Sequence, residues 1–325
     1  MTIKSPKTAI ALLCFISFIW GFGFVLVDIS IETVPTHSFN GLRFLIATLC
    51  LLPLWKFDRP SSIDSTADLT KQYSLSRLFI TGFGLGFLLF LGFATQTEGM
   101  RYTSVSNAGF ITGLSVPLVP LLGFLLFRDK LSISAWFGVA SATAGLYFLT
   151  IGDKLVFNSG DLLILICALS FASHIIATGK TTHALPSIPL SIIQMAAVTL
   201  YSFLSALLNG ELSSTADVQQ LAINLMEPIV IVTIIIAATL GSALAYWAQT
   251  AAQKIISPYK VALIFALEPL FAHASAAIFL GETLGIKGWV GAGLIISGML
   301  IAQLGDKNHP PQMHADEHSS TPKGY

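Results

Sequence analysis

Long apolar runs, separated by short polar stretches, make up most of this chain. Ten of these runs approach the length of about 20 residues that a helix needs to cross a bilayer. They cover about 8–28, 38–56, 77–97, 104–127, 133–151, 160–179, 187–209, 228–249, 257–280 and 285–304. Apolar and polar residues do not alternate within them as they do in the strands of a membrane barrel. We therefore predict an all-α multi-pass membrane protein with ten transmembrane helices, each of which satisfies its own backbone hydrogen bonds.

The second half of the chain repeats the first. At a shift of 153 positions Gln96 meets Gln249, and many identities follow, apart from a helix proline that slips by one place. Nearer the N-terminus a shift of 151 aligns Arg43 with Gln194. The predicted organisation is a cytoplasmic N-terminus at 1–7, repeat 1 at 8–151, repeat 2 at 160–304 and a disordered cytoplasmic tail at 305–325. In a duplicated membrane chain, we expect the functional site at the interface between the two units.

Composition agrees with this pattern. Of the 325 residues, 54% are hydrophobic and only 10% are charged, whereas a soluble domain carries about 25% charge. We therefore expect lipid to be the main solvent of the chain. The net charge is zero, which gives no electrostatic basis for nucleic-acid binding. The first apolar run is too long for a signal peptide and lacks a cleavage site, so we interpret it as the first membrane helix.

Positive charge predicts the orientation of the spans. With the N-terminus in the cytoplasm, thirteen Lys and Arg residues lie inside: Lys4, Lys7, Lys56, Arg59, Lys71, Arg77, Arg128, Lys130, Lys180, Lys254, Lys260, Lys307 and Lys323. Three lie outside: Arg101, Lys154 and Lys287. Five spans per repeat is an odd number, so the second repeat is expected to enter the membrane inverted relative to the first. We expect a bacterial inner-membrane protein with both termini in the cytoplasm.

Short motifs follow one another in a characteristic order and spacing in each repeat. In the first they are Trp20, Gly21, Pro35, Arg43, 103–108, Pro117, 128–131, Trp136 and Gly138. In the second they are Gly160, Asp161, 170–172, Ser257, Pro258, 267–269, 281–284, Trp289, Gly291 and Gly298. Together they resemble the EamA repeats of the drug/metabolite transporter superfamily. The resemblance implies a ten-helix carrier of small metabolites, often an exporter of amino acids or drugs. At 128–130, Arg-Asp-Lys stands where the family usually has Gly-Glu-Arg, in an expected cytoplasmic turn.

Two charged residues within the spans are candidates for substrate contact, because a charge in hydrocarbon is costly and must face protein or water. Glu268 falls near the middle of the ninth span, just before a proline that bends the helix. It is a candidate for carrying a coupling proton or for meeting a substrate ammonium, and the alternative is an acid that caps the bend. At the shift of 153 its counterpart is Ser115. Arg43 either binds a substrate carboxylate or, as we expect, pairs with Asp28 or Glu32.

A polar stripe marks the eighth span. Its residues recur every three or four positions and so share one helix face: Ser242, Tyr246, Gln249 and Gln253. The counterparts in the first repeat are more apolar: Leu89, Phe93, Gln96 and Met100. A polar wall facing an aromatic one suits an amphipathic organic substrate, and hydrogen bonding between helices is the alternative explanation.

Three further residues complete the candidate cavity. His174 either accepts a proton near neutral pH or hydrogen-bonds to a neighbouring helix. Trp20, in mid-span beside Gly21, either packs closely or turns its ring toward a cavity. Asn107 lies in the motif at 103–108. Close helix packing is the expected role of the glycines at 82, 84, 86, 109 and 113.

We predict a secondary transporter, an exporter of a small amphipathic metabolite that works by alternating access. A non-transporting receptor or assembly partner is the alternative. An intramembrane enzyme is not expected, because the chain has no catalytic or nucleotide-binding motif. A channel is disfavoured because the chain has no repeated ring of carbonyls or charges. No cofactor or metal is expected: the three cysteines lie in apolar runs, and the histidines at 309, 314 and 318 lie in the tail. The predicted partners are the lipid bilayer, a small-molecule substrate and a proton, and the oligomeric state stays open.

Overall fold

The computed structural model describes residues 3–58, 74–103, 105–129, 131–150, 159–280 and 285–305. All regular elements in these ranges are helical. The described residues therefore confirm the all-helical prediction. The tail at 306–325, with its histidines, lies outside them, and so does the side chain of Asn107.

Fourteen α-helices follow one another along the described parts of the chain. In the first repeat they are α1 (Pro6–Ile31), α2 (Thr36–Leu51), α3 (Leu75–Met100), α4 (Val105–Gly113), α5 (Ser115–Phe127) and α6 (Ile133–Thr150). In the second they are α7 (Ser159–Thr181), α8 (Ser187–Leu208), α9 (Thr215–Asn224), α10 (Pro228–Ala238), α11 (Ala245–Ala252), α12 (Pro258–Phe265), α13 (Leu267–Leu280) and α14 (Ile286–Gly305). A 3-10 helix, Leu52–Asp58, extends α2.

Seven helices of the described chain are long and apolar enough to cross a membrane. Two more apolar helices, Ile133–Leu149 and Ile286–Ala302, are shorter. The remaining predicted span, at 257–280, is divided between α12 and α13. The structure thus contains several candidate membrane helices, and the number ten stays a prediction.

The two repeats bend at equivalent places. Leu114 separates α4 from α5 with φ −63° and ψ −13°, and Ala266 separates α12 from α13 with φ −59° and ψ −13°. Each lies three residues before a proline, Pro117 or Pro269, which cannot donate a backbone hydrogen bond and whose ring crowds the preceding turn. When the two bends are aligned, Glu268 is the counterpart of Val116. The predicted counterpart, Ser115, is one residue away from this position.

A π-helical segment, Thr239–Leu244, joins α10 to α11 within one continuous helix. A π-turn widens the helix and disrupts the regular pairing of its carbonyls, and such turns occur often at functional sites. Gly241 and Ser242 lie inside this segment, where the glycine keeps the backbone accessible. The eighth predicted span therefore has a local irregularity at its polar stripe.

Counterpart helices of the two repeats pack against each other in opposite directions. A Cβ on Gly138 of α6 would lie 2.7 Å from the Gly298 carbonyl oxygen of α14, and a Cβ on Gly145 would lie 2.6 Å from that of Gly291. Because position numbers rise along α6 as they fall along α14, the two helices are antiparallel. The contacts are also reciprocal, since Gly138 and Gly145 are the counterparts of Gly291 and Gly298. Such an exchange is the mark of a two-fold relationship.

The helices α2 and α8, another counterpart pair, are antiparallel as well. Gly41 near the start of α2 contacts Phe203 near the end of α8, while Leu51 shares an apolar cluster with Ile188 at the start of α8. Glu211, just beyond α8, accepts hydrogen bonds from the Ser38 backbone N–H (2.7 Å) and hydroxyl (2.8 Å). A carboxylate in this place satisfies free N–H groups at a helix N-terminus.

The two ends of the helix bundle differ in charge. At the acidic end, where α1 and α3 finish, Glu98 accepts a hydrogen bond from the Thr36 hydroxyl (2.8 Å). The exposed helix α9 lies there too; hydrogen bonds from Ser214 and Ser213 lower the pKa of its Asp217. At the basic end, where α1 begins, Lys180 pairs with Asp129 at 2.6 Å.

Candidate functional site

One cavity opens between the two repeats. It holds about 1030 Å³ of space not filled by atoms, including the part open to the surroundings. Residues of α1, α2, α3, α4, α5, α7, α10, the π-helical segment, α11, α12 and α13 line it. It extends from the middle of the bundle, near Trp20 and Glu268, to Val27 and Met100, where α1 and α3 finish. The cavity therefore reaches toward the acidic end.

Arg43 is held in the cavity wall by the second repeat. Its Nε donates to the Ser242 hydroxyl oxygen at 2.8 Å, and its Nη2 donates to the Gly241 carbonyl oxygen at 3.2 Å. The guanidinium carbon lies 4.5 Å from the centre of the Phe93 ring, which adds a cation–π attraction. The expected pairing with Asp28 or Glu32 is wrong, because α2 directs the side chain toward the π-helical segment instead.

Glu268 lines the same cavity at the bend between α12 and α13. Its backbone carbonyl lies against Gly21 of α1, where a Cβ would approach to 2.6 Å. Only a glycine permits α1 to pack this closely. Among the described residues, the Glu268 carboxylate forms no ion pair and no hydrogen bond. One wall of the cavity thus carries a fixed cation and another an acid without a direct protein partner in that part of the chain.

Aromatic rings line the same cavity as these charged groups. Trp20 donates its indole N–H to the Gly241 carbonyl oxygen at 2.8 Å and packs edge-on to Phe265, with ring centres 4.8 Å apart. Tyr246 lies 5.9 Å from Trp20 and 6.0 Å from Phe93, centre to centre. A rigid aromatic surface of this kind binds apolar or planar groups.

His174 belongs to a buried polar network at the inner edge of the cavity. One ring nitrogen, Nε2, lies 2.9 Å from Gln194 Oε1 and 3.3 Å from the Thr178 hydroxyl, and Nδ1 lies 3.4 Å from Gln249 Nε2. The hydrogen bond that we considered from His174 to a neighbouring helix is present, to Gln194 of α8. Gln253 extends the network by donating to the Ile175 carbonyl oxygen at 2.7 Å.

The structure brings most of the candidate residues together. Eight of the ten line the cavity: Trp20, Arg43, Phe93, Gln96, His174, Tyr246, Gln249 and Glu268. Ser242 lies behind Arg43 and holds its guanidinium. Asn107 is part of α4, but its side chain lies outside the described residues.

Several residues contribute to the cavity in ways that the sequence does not predict. The Gly241 carbonyl accepts hydrogen bonds from both Trp20 and Arg43, and the Gly-Ser pair inside an apolar helix was its only signal in the sequence. Thr112 accepts a hydrogen bond from Gln96 at 3.1 Å and also lines the cavity. Gly109 lines the cavity with open space beside it, so its expected role in close packing is wrong.

Close helix packing is confirmed for three of the other glycines, two in the third span and one in the fourth. Gly82 lies against Ile193, and Gly86 lies against Ala197 and the Gln194 backbone. Gly113 contacts Leu146 while also lining the cavity. Gly84 has nothing within 4 Å of a Cβ position. Packing on α8 therefore explains two of the three glycines of the third span, and the expected packing role of Gly84 is wrong.

Comparison with known proteins places this architecture among transporters. The sequence model of the EamA-like transporter family matches residues 7–151 and again residues 158–303. The chain is 30% identical over 296 residues to an uncharacterized transporter of Archaeoglobus fulgidus, covering 90% of this chain and 84% of that one. It is 27% identical to a probable amino-acid metabolite efflux pump of Salmonella typhimurium, covering 88% and 92%.

Two further similarities agree. The uncharacterized inner membrane transporter YedA of Escherichia coli is 25% identical over 289 residues, covering 88% of each chain. A crystal structure superposes with a TM-score of 0.66 at 17% identity, covering 92% of this chain and 98% of the other. At that identity the superposition supports the fold alone.

Proposed function

The chain belongs to the EamA-like transporter family, and from this premise we propose that it is a secondary carrier of a small amphipathic metabolite. An amino acid is the substrate class that best suits the cavity. The carrier works by alternating access, in which one part of the bundle moves against the other around a central site.

The observation that carries this proposal is the pairing of opposite charges in one aromatic cavity. Arg43 offers a guanidinium that suits a carboxylate, and Glu268 offers a carboxylate that suits an ammonium. Trp20, Tyr246 and Phe93 supply an apolar surface for a side chain. A zwitterion with an apolar part satisfies all three features, whereas a bare ion leaves the aromatic surface unused.

The geometry of the repeats supports an inverted duplication of five spans each. Antiparallel packing of α6 on α14 and of α2 on α8 is what two copies of opposite orientation produce. The basic end collects Lys4, Lys180 and Lys254, and we assign it to the cytoplasm of a bacterial inner membrane. The cavity described above then faces outward.

Export is the proposed direction. It rests on similarity to the Salmonella protein, whose name describes amino-acid metabolite efflux. A proton entering through the outward cavity meets Glu268 at the bend, and we propose this residue as the site where proton movement is coupled to substrate movement.

The test is a transport assay on the full-length chain in proteoliposomes, each loaded with one amino acid and examined with and without a pH gradient. We expect pH-driven flux of at least one amphipathic amino acid. Glu268→Gln removes the titratable group and should lower that flux at least about tenfold. Glu98→Gln, at the acidic end, is the matched control and should keep it. No flux of any tested amino acid refutes the proposed substrate class, and unchanged flux in Glu268→Gln refutes both roles proposed for Glu268, proton coupling and ammonium binding.

A further inference from the structure

Equivalent stripes of residues in the two repeats contribute unequally to the lining of the cavity. On α3 four positions on one face line the cavity: Phe93, Gln96, Thr97 and Met100. Their counterparts on the second repeat are Tyr246, Gln249, Thr250 and Gln253. Of these, only Tyr246 and Gln249 line the cavity. The part of the second stripe nearer the basic end is closed off.

The closed part is polar although it is deeply buried. Thr250 and Gln253 are 1% and 2% exposed. Among the described residues, the Thr250 hydroxyl oxygen has no hydrogen-bond partner, and the same holds for the hydroxyl oxygen of Ser257, which directly precedes α12. A buried polar group without a partner destabilises the state that buries it. These groups are therefore better suited to a state in which they meet water.

The missing partner of Thr250 has a specific origin in the sequence. In the first repeat Asn40 donates to the Phe93 carbonyl oxygen (3.3 Å) and to the Thr97 hydroxyl (3.1 Å). Its counterpart at the shift of 151 is Ser191, which lies 3.5 Å from the Tyr246 carbonyl oxygen. The shorter serine side chain reproduces the first contact but has no amide to reach Thr250. The second repeat thus lacks one hydrogen bond that the first repeat has.

Tight contacts close this end of the bundle. A Cβ on Gly179 of α7 would lie 2.5 Å from the Pro258 ring of α12. Thr182 donates to the Thr250 carbonyl oxygen at 2.8 Å, and Gln253 donates to the Ile175 carbonyl oxygen. An apolar cluster that includes Leu13, Ile176 and Ala252 fills the remaining space.

We propose that Thr250, Gln253 and Ser257 line the second half of the transport path and form its gate at the basic end. The gate is closed in this structure and opens in the opposite state, when Thr250 and Gln253 take the role that Thr97 and Met100 have here. The proposal rests on the proposed carrier function. The Thr250 hydroxyl, which has no hydrogen-bond partner among the described residues, destabilises the closed state and so allows the gate to open.

The test is labelling of single cysteines by a water-soluble maleimide in the full-length protein, purified in mild detergent so that both ends are accessible. The three native cysteines are first replaced by alanine. Gln253→Cys should label slowly but measurably, Met100→Cys should label faster, and Ala252→Cys, packed in the apolar cluster, should label only after denaturation. Labelling of Gln253→Cys only after denaturation overturns the proposal.

A second variant tests the gate without enlarging any side chain. Thr250→Val is nearly isosteric and removes the orphan hydroxyl, so it stabilises the closed gate and should slow labelling of Gln253→Cys about fivefold. Thr97→Val, the counterpart control, removes the acceptor of Asn40 and should not slow it. Equal effects of the two valines, or faster labelling in Thr250→Val, contradict the gate.

The labelling results are separable from the transport assay. A carrier that transports while Gln253→Cys stays unlabelled disproves the gate and leaves the proposed function intact. Gated labelling without flux of any tested amino acid keeps the gate and argues against the proposed substrate class.

Discussion

At the scale of single residues, Arg43 depends on the hydroxyl of Ser242. The guanidinium is buried, and each lost acceptor leaves a charged donor without its partner. We expect Ser242→Ala to lower the free energy of unfolding by about 1–3 kcal/mol, measured by a thermal-shift assay in detergent. It should also weaken substrate binding, because Arg43 is then less firmly positioned in the cavity wall.

Ser173→Ala is the control for this change. Its hydroxyl donates to the Leu169 carbonyl oxygen within the same helix at 2.8 Å, and its loss should alter stability by no more than about 0.5 kcal/mol. If the two alanine variants melt at the same temperature, the Arg43 contact contributes nothing measurable.

The sequence predicted which residues meet at the cavity better than it predicted their partners. Periodic spacing brings Tyr246 and Gln249 to one helix face, and an inward-facing polar stripe follows from the cost of polar groups in lipid. The partner of Arg43 depends instead on how α2 crosses the π-helical segment. Until that crossing is known, the acidic residues at the end of α1 and the serine of the π-helical segment are equally plausible partners of Arg43.

At the scale of elements, the bend at Ala266 positions Glu268. Proline in a helix interior costs about 3 kcal/mol because it removes one hydrogen bond and crowds the preceding turn. Pro269→Ala permits a straighter helix, which turns Glu268 away from its present position. We expect lower flux in proteoliposomes together with an unchanged or higher melting temperature.

Pro120→Ala provides the comparison for this effect. Pro120 lies inside α5 and does not line the cavity. Its replacement should leave the flux near that of the unchanged protein. A Pro269→Ala variant that transports normally means that the bend is a packing feature with no part in transport.

The bends show where prediction from sequence ends. Apolar length and prolines indicate membrane helices with irregular middles. The position of the break between α12 and α13 depends on which helical turn opens near the proline. That position makes Val116, and not Ser115, the structural counterpart of Glu268. The π-helical segment was not predicted, because a Gly-Ser pair is compatible with a regular helix as well.

At the scale of the whole molecule, α6 and α14 join the two repeats through small residues in close contact. In membranes such contacts rely on packing, because lipid is as apolar as the side chains. A Cβ added to Gly291 would lie 2.5 Å from the Leu149 backbone nitrogen and 2.6 Å from the Gly145 carbonyl oxygen. Backbone atoms cannot move aside as a flexible side chain does, so the helices must separate.

We expect Gly291→Ala to lower the free energy of unfolding by about 1–3 kcal/mol, seen as a lower melting temperature in detergent. Gly293 lies on the same helix with nothing within 4 Å of its Cβ position. Gly293→Ala should be neutral or raise stability by up to about 1 kcal/mol, since alanine favours helix. Opposite signs for two glycines two positions apart are what an interface on one face of α14 requires. Equal effects mean that helix propensity, and not the contact between the repeats, decides the outcome.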